Sequence, residues 1–214
     1  MESSLKYIFT GATPKKEENK GLIILLHGYG SNEMDLFSFA GQLPSNYFVV
    51  SVQAPNPLAW GGFAWFDIEW TAENKKYDFD QALESRKRII EFINYMIANY
   101  EIDENNIALL GFSQGAMLSQ AVALTEPKLI RKVVALSGFV FEDVIKPIRA
   151  SVDEIKTVDF FVGHGNVDDV VPVEYDRKSR LYLENLGVNL IYKEYPVAHG
   201  ITPEELEDVI SFLK

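Results

Sequence analysis

The sequence predicts an α/β fold, a mostly parallel twisted sheet with helices on both faces, and three observations carry the prediction. Six short runs of aliphatic and β-branched residues recur along the 214-residue chain, most of them apolar at successive positions. Segments of helical period separate them. With 47% of residues hydrophobic, the chain can bury a full core between such layers. Strands apolar on both faces belong to a parallel sheet covered from each side, because a sheet with one wet face would alternate apolar and polar residues.

Taken in order, the first strand is "LIILLHG" (Leu22 to Gly28) and the second "YFVVSVQAP" (Tyr47 to Pro55). A long amphipathic helix follows in "DFDQALESRKRIIEFINYMIANY", where Phe79, Leu83, Arg86, Ile90, Ile93, Ile97 and Tyr100 recur at three and four residues. "NIALLGF" (Asn106 to Phe112) is the third strand, with helix expected directly after Ser113. "KVVALSG" (Lys132 to Gly138) and "VDFFVGHG" (Val158 to Gly165) come next, then a helix from Pro172 that Gly187 stops. The sixth strand is "NLIYKEYPV" (Asn189 to Val197). A last helix runs from Thr202, where Thr202, Pro203 and Glu205 are expected to form a capping box and Leu206, Val209, Ile210 and Leu213 share one face. No repeat, low-complexity tract or linker interrupts this alternation, so residues 1–214 are expected to form one domain without a separate cap.

Composition removes several function classes. A net charge of -11 with no basic stripe argues against a nucleic-acid partner, whose phosphates would be repelled. Without cysteine there are no disulfides, which suits a reducing cytoplasm, the expected location. The start "MESSLKYIFT" lacks the basic and apolar regions of a signal peptide. The longest apolar run, "LIILL", falls far short of the roughly 20 residues that span a bilayer. A soluble protein is expected.

Chemistry concentrates at the strand ends. In "LLGFSQGA" Ser113 lies between Gly111 and Gly115, after a buried strand and before a helix. A sharp strand-to-helix turn strains the backbone at its centre and crowds the chain, so it needs side-chain-free neighbours two residues away on each side. It also exposes the hydroxyl at the carboxyl edge of the sheet, where open α/β folds bind ligands. A serine hydroxyl needs a base. Of three histidines, His27 and His164 close strands, and His199 sits between the last strand and the last helix. Nucleophile, acid and base follow in that chain order in α/β hydrolases, which makes His199 the candidate base. Asp143, Asp168 and Asp169 are the candidate acids on loops after strands, whereas Asp159 starts a strand at the opposite edge and is read as structural.

The chain resembles the acyl-protein thioesterase and carboxylesterase group of α/β hydrolases, through "LHGYGSNEMD", "QAPNPLAWGGFAWFDI", "LLGFSQGA", "VALSGF", "GHGNVDDVVP" and "PVAHGI" in the family's order. The resemblance implies a single-domain α/β hydrolase fold, with Ser113 as nucleophile, Asp168 as acid and His199 as base. It also implies an oxyanion hole made of the backbone N–H groups of Tyr29 and Gln114, the latter opening a helix whose free N–H groups favour an anion. His27 is then structural. Tyr29 stands where relatives commonly carry an aliphatic residue, and a phenol there narrows the entrance.

The expected reaction is two-step acyl transfer on a small-molecule ester, most simply a carboxylesterase for small or medium acyl groups, without metal or organic cofactor. Thioesterase action on S-acylated proteins, or lysophospholipase-like action, would use the same residues. An inactive hydrolase-fold binding protein would lack a triad member, and none is missing; a cysteine-nucleophile hydrolase is excluded by composition. "PNPLAWGGFAWFDIEW" is too rich in Gly and Pro for regular structure and is expected to be a loop at the site. From it Phe63 and Trp65, with Phe139 of "GFVFED", are the candidate substrate-binding wall.

Overall fold

The computed structural model describes residues 3–15, 18–70, 75–146, 148 and 150–214. In chain order the strands are β1 (Tyr7–Phe9), β2 (Gly21–Leu26), β3 (Tyr47–Val52), β4 (Asn56–Pro57), β5 (Phe63–Ala64), β6 (Ile68–Trp70) and β7 (Lys75–Tyr77). After them come β8 (Ile107–Phe112), β9 (Lys132–Leu136), β10 (Asp159–Gly165) and β11 (Asn189–Tyr195). The helices are α1 (Phe79–Asn99), α2 (Gln114–Thr125), α3 (Glu142–Ile145), α4 (Val152–Ile155), α5 (Val173–Leu186) and α6 (Pro203–Leu213). Seven strands form the main sheet in the order β1-β3-β2-β8-β9-β10-β11. Only β1 runs antiparallel to its neighbour. This is the mostly parallel sheet that the sequence predicts.

Both faces are covered, and β2 shows how. Leu22, Ile24 and Leu26 join a core with α1, α2 and α3, whereas Ile23 and Leu25 join a second core with α6 and a 3-10 turn at Leu36–Gln42. Successive side chains of a strand point to opposite faces, so these two cores lie on the two sides of one sheet. All five residues are at most 1% exposed, and each contributes about 1.5–3 kcal/mol of transfer free energy. Helix α2 lies along the sheet with Gln114 through Leu124 all buried. The strands that carry the site are therefore anchored in the most enclosed part of the molecule.

Several local expectations are corrected. Strand β1 has only three residues, two partly buried and Phe9 exposed, too few to show a period, and the sequence gives no sign of it. Helix α1 forms where expected, with the Asp78 side chain accepting the Gln81 N–H, but its buried stripe is Ala82, Ser85, Ile89, Phe92, Ile93 and Met96. Phe79 is 42% exposed, and Leu83, Ile90, Ile97 and Tyr100 pack only on the margin of the core. The contact face is rotated because α1 packs against α2 and α3. The segment after β3 is not wholly irregular: β4 pairs β5 and β6 pairs β7 as two short antiparallel ribbons. At α6, Thr202 accepts the Glu205 N–H at 3.0 Å, but only half of the capping box forms. The Glu205 carboxyl turns inward against Gly163 of β10, where it is fully buried.

Candidate active site

Ser113 lies between β8 and α2 with φ 53° and ψ -116°, a conformation that L-residues adopt only under constraint. The constraint comes from crowding. A Cβ on Gly115 would sit 2.5 Å from the Leu26 carbonyl carbon, and one on Gly111 2.5 Å from the Ala116 nitrogen. Both glycines are thus required for α2 to start against the end of β2. The turn is tied down by Ser113 N–H to Leu136 O at 2.9 Å and Met117 N–H to Ser113 O at 3.1 Å.

Gln114 opens α2, so its N–H has no intrahelical acceptor. Its buried side chain stitches the neighbouring segment in place, donating to Phe66 O at 2.7 Å and accepting the Trp65 N–H at 3.1 Å. Gly28 approaches Ser113 closely, Gly30 has φ 77°, and Tyr29 between them lines the same cleft as Ser113. His27 stays out of it. Its Nδ1–H donates to Gly28 O at 2.7 Å and its Nε2 accepts the Ala54 N–H at 3.0 Å, which sets one neutral tautomer. Burial lowers its pKa, in agreement with that neutral role.

His199 lies on the loop between β11 and α6, its ring 4.8 Å from that of Phe112. Its Nδ1 contacts Asp168 Oδ2 at 2.6 Å. Asp168 is buried, and its Oδ1 accepts the N–H groups of Val170 and Val171 at 2.8 Å each. Asp169 and Asp143 face solvent, and Asp159 pairs with Arg131 at the far edge. Among the described residues, no cluster of three histidine or acidic side chains is placed to hold a metal ion.

A cleft of about 190 Å³ brings Gly28, Tyr29, Ser113, Gln114, Phe139 and His199 together. Trp65 and Phe63 are not on its wall. Trp65 is fully buried, donating its indole N–H to His27 O at 2.9 Å, and Phe63 pairs its backbone with Gly30 and Ser31. The aromatic segment braces the "HGYG" turn from behind; its Trp70 side chain lies outside the described residues. The apolar wall comes instead from Ile68, Tyr77, Phe112, Met117, Val170 and Val171, with Phe139. Lys75 also lines it and donates to the Val170 carbonyl. Sequence reasoning missed Ile68, Lys75 and Tyr77 because they reach the cleft only through the pairing of β6 with β7. Their spacing carries no signal.

Comparison with known proteins agrees with this architecture. Acyl-protein thioesterase 1 of Debaryomyces hansenii is 34% identical over 236 aligned positions that take in 100% of this chain and 97% of that protein. Acyl-protein thioesterase 1 of Saccharomyces cerevisiae is 37% identical over 156 residues, covering 71% of this chain and 67% of its own. The Bacillus cereus carboxylesterase superposes with a TM-score of 0.83 over 99% of this chain and 94% of its own, at 22% identity, a likeness of fold alone. Arabidopsis thaliana SOBER1 superposes at 0.76 with 26% identity, over 91% of this chain and 97% of its own. Residues 11–214 match the Phospholipase/Carboxylesterase family model, and with these relatives the chain belongs to that family of α/β hydrolases.

Proposed function

We propose that this ester hydrolase works through Ser113 as nucleophile, His199 as general base and Asp168 as the acid that orients the imidazole. The observation that carries the proposal is the 2.6 Å contact of His199 Nδ1 with the buried Asp168 Oδ2, with His199 and Ser113 on one cleft. An ionised Asp168 accepts the Nδ1–H and leaves Nε2 as the free base. Ser113 Oγ attacks the ester carbonyl as His199 takes its proton, and His199 returns that proton to the leaving alcohol or thiol. Water then attacks the acyl-enzyme with the same base. The N–H groups of Tyr29 and Gln114 hold the developing oxyanion, each worth about 3–4 kcal/mol in the transition state.

Short and medium acyl esters are the substrates this cleft suits, since Tyr29, whose ring packs 6.3 Å from that of Trp60, narrows one side of the entrance. The relatives named acyl-protein thioesterase favour a second reading, hydrolysis of S-acylated proteins, with lysophospholipase-like action beside it. Either would proceed in one domain spanning residues 1–214, in the cytoplasm and without nucleic acid. Among the described residues no helix is long and apolar enough to cross a membrane. A series of p-nitrophenyl esters from acetyl to palmitoyl, with one long-chain thioester, tests both readings on the parent and on Ser113→Ala. Turnover of short esters that disappears in Ser113→Ala is expected. Hydrolysis that survives the substitution would overturn the proposal, and a steep preference for the long thioester would select the second reading.

A further inference from the structure

One buried histidine takes no part in the chemistry above, yet it touches the loop that holds Asp168. His164 is the penultimate residue of β10 and is fully buried, as is Asp176 in the first turn of α5. Its Nε2 lies 2.8 Å from the Val171 carbonyl oxygen and 3.5 Å from Asp168 Oδ2. Its Nδ1 lies 3.1 Å from Asp176 Oδ2. Val171 is therefore gripped at both ends: its N–H donates to Asp168 Oδ1, and its carbonyl accepts from His164.

These contacts set the protons. A carbonyl can only accept, so Nε2 carries hydrogen. The Nδ1 to Asp176 contact then needs one proton more, either on the ring or on the carboxyl, because two lone pairs would otherwise face each other in a buried place. Burial by itself would lower the His164 pKa, but the bond and charge of Asp176, then Val171 and Asp168, raise it. Burial raises that of Asp176 as well. Both shifts describe a pair that keeps its extra proton. The charged or titratable groups facing His164 are Asp168, Asp176, Glu194 and Glu205.

We propose that His164, anchored by Asp176, is a positioning residue that clamps the Val171 carbonyl so that Asp168 meets His199 in a single geometry. This rests on the roles of Ser113, His199 and Asp168 given above. Without the clamp, the buried Val171 carbonyl loses its donor and the loop that supplies both N–H bonds to Asp168 Oδ1 can shift. A misplaced orienting group costs turnover rather than ground-state binding of the ester.

His164→Ala, His164→Gln and Asp176→Asn test it in the full chain, with kcat and KM for a short p-nitrophenyl ester. The second readout is the downfield proton resonance of His199 Nδ1–H, assigned by its loss in His199→Gln. In His164→Ala kcat should fall about 10- to 100-fold with KM little changed, and the resonance should move or broaden. The glutamine amide reaches the position of Nε2, so His164→Gln should recover most of the rate. A folded His164→Ala with kcat within twofold of the parent and an unmoved resonance would overturn the proposal. So would equal losses in the alanine and glutamine variants. If His164→Ala does not fold, Asp176→Asn decides: a shifted resonance with reduced kcat supports the clamp, and an unchanged pair of readouts removes it. Ester turnover surviving in Ser113→Ala would instead defeat the catalytic reading itself, a result distinct from all of these.

Discussion

Ser113 and Ser137 occupy matching turns at the carboxyl ends of the neighbouring parallel strands β8 and β9. Their φ angles are 53° and 51°, and each gives its N–H to the next strand, Ser113 to Leu136 O at 2.9 Å and Ser137 to Gly163 O at 2.8 Å. Beyond the backbone they part company. Ser113 lines the cleft beside His199, whereas Ser137 is fully buried and its hydroxyl has no hydrogen-bond partner among the described residues. The chain after Ser113 enters α2 at once, while the chain after Ser137 runs on through Gly138 and Phe139 before α3. A strained serine is therefore not in itself a nucleophile. The proposed nucleophile differs in that Ser113 and His199 line one cleft.

The largest test of that contrast is the pair of hydroxyl deletions. Ser113→Ala should lower kcat by about 10⁴-fold or more, while Ser137→Ala leaves it within about twofold. A tenfold loss in Ser137→Ala would erase the distinction between the two turns. The glycines come next. Gly115→Ala would drive a Cβ into the fixed backbone of Leu26, and Gly138→Ala would place one 2.6 Å from the Ala116 Cβ and 3.0 Å from Ser113 O. Gly115→Ala should cost more than the about 1–3 kcal/mol of ordinary overpacking, and more than Gly138→Ala, as read by urea unfolding. The reverse order would mean that the Ser113 turn has slack.

A smaller effect reports on burial behind the Ser137 turn. Glu205 packs on Gly163, the residue whose carbonyl takes the Ser137 N–H, and burial pushes its pKa from 4.5 up to about 7. Between those values the folded protein keeps a proton that the unfolded chain has released. Stability is thus full below about pH 4.5 with respect to this group and falls as pH rises through 7, by about 3 kcal/mol in all. Glu205→Gln should flatten that part of the stability profile in urea melts at pH 5 and pH 8. An undiminished slope would place the titration elsewhere. Smallest of all, Ser137→Ala should change unfolding free energy by less than about 1 kcal/mol, since its buried hydroxyl makes no bond to lose.

The strands of the main sheet were legible wherever four or more apolar residues ran together, as in β2, β3 and β8, and Ser113 and His199 were legible as candidates at strand ends, whereas spacing left Asp143, Asp168 and Asp169 open as the acid. Strand β1 was hidden by its length, and the rotated face of α1 by its packing against α2 and α3. Trp65 misled because its composition suits a groove wall as well as an interior: its indole N–H found a partner in the His27 carbonyl, which made full burial possible. His164 looked like any histidine closing a strand. Its partners lie on the loop after β10 and on α5, in contacts that period and spacing do not encode.

What the sequence determined by itself is local: which segments become strand or helix, where glycines permit a sharp turn, and which reactive side chains stand at strand ends. Those outcomes depend on neighbours a few residues apart. The tertiary structure alone decided that Asp168 turns inward to His199 while its neighbour Asp169 turns to solvent, and that Tyr77 and Met117 wall the cleft in place of Trp65. Each of these is a contact between distant segments, 31 residues apart for Asp168 and His199, and its direction follows from the path of the folded chain rather than from the identity of either residue.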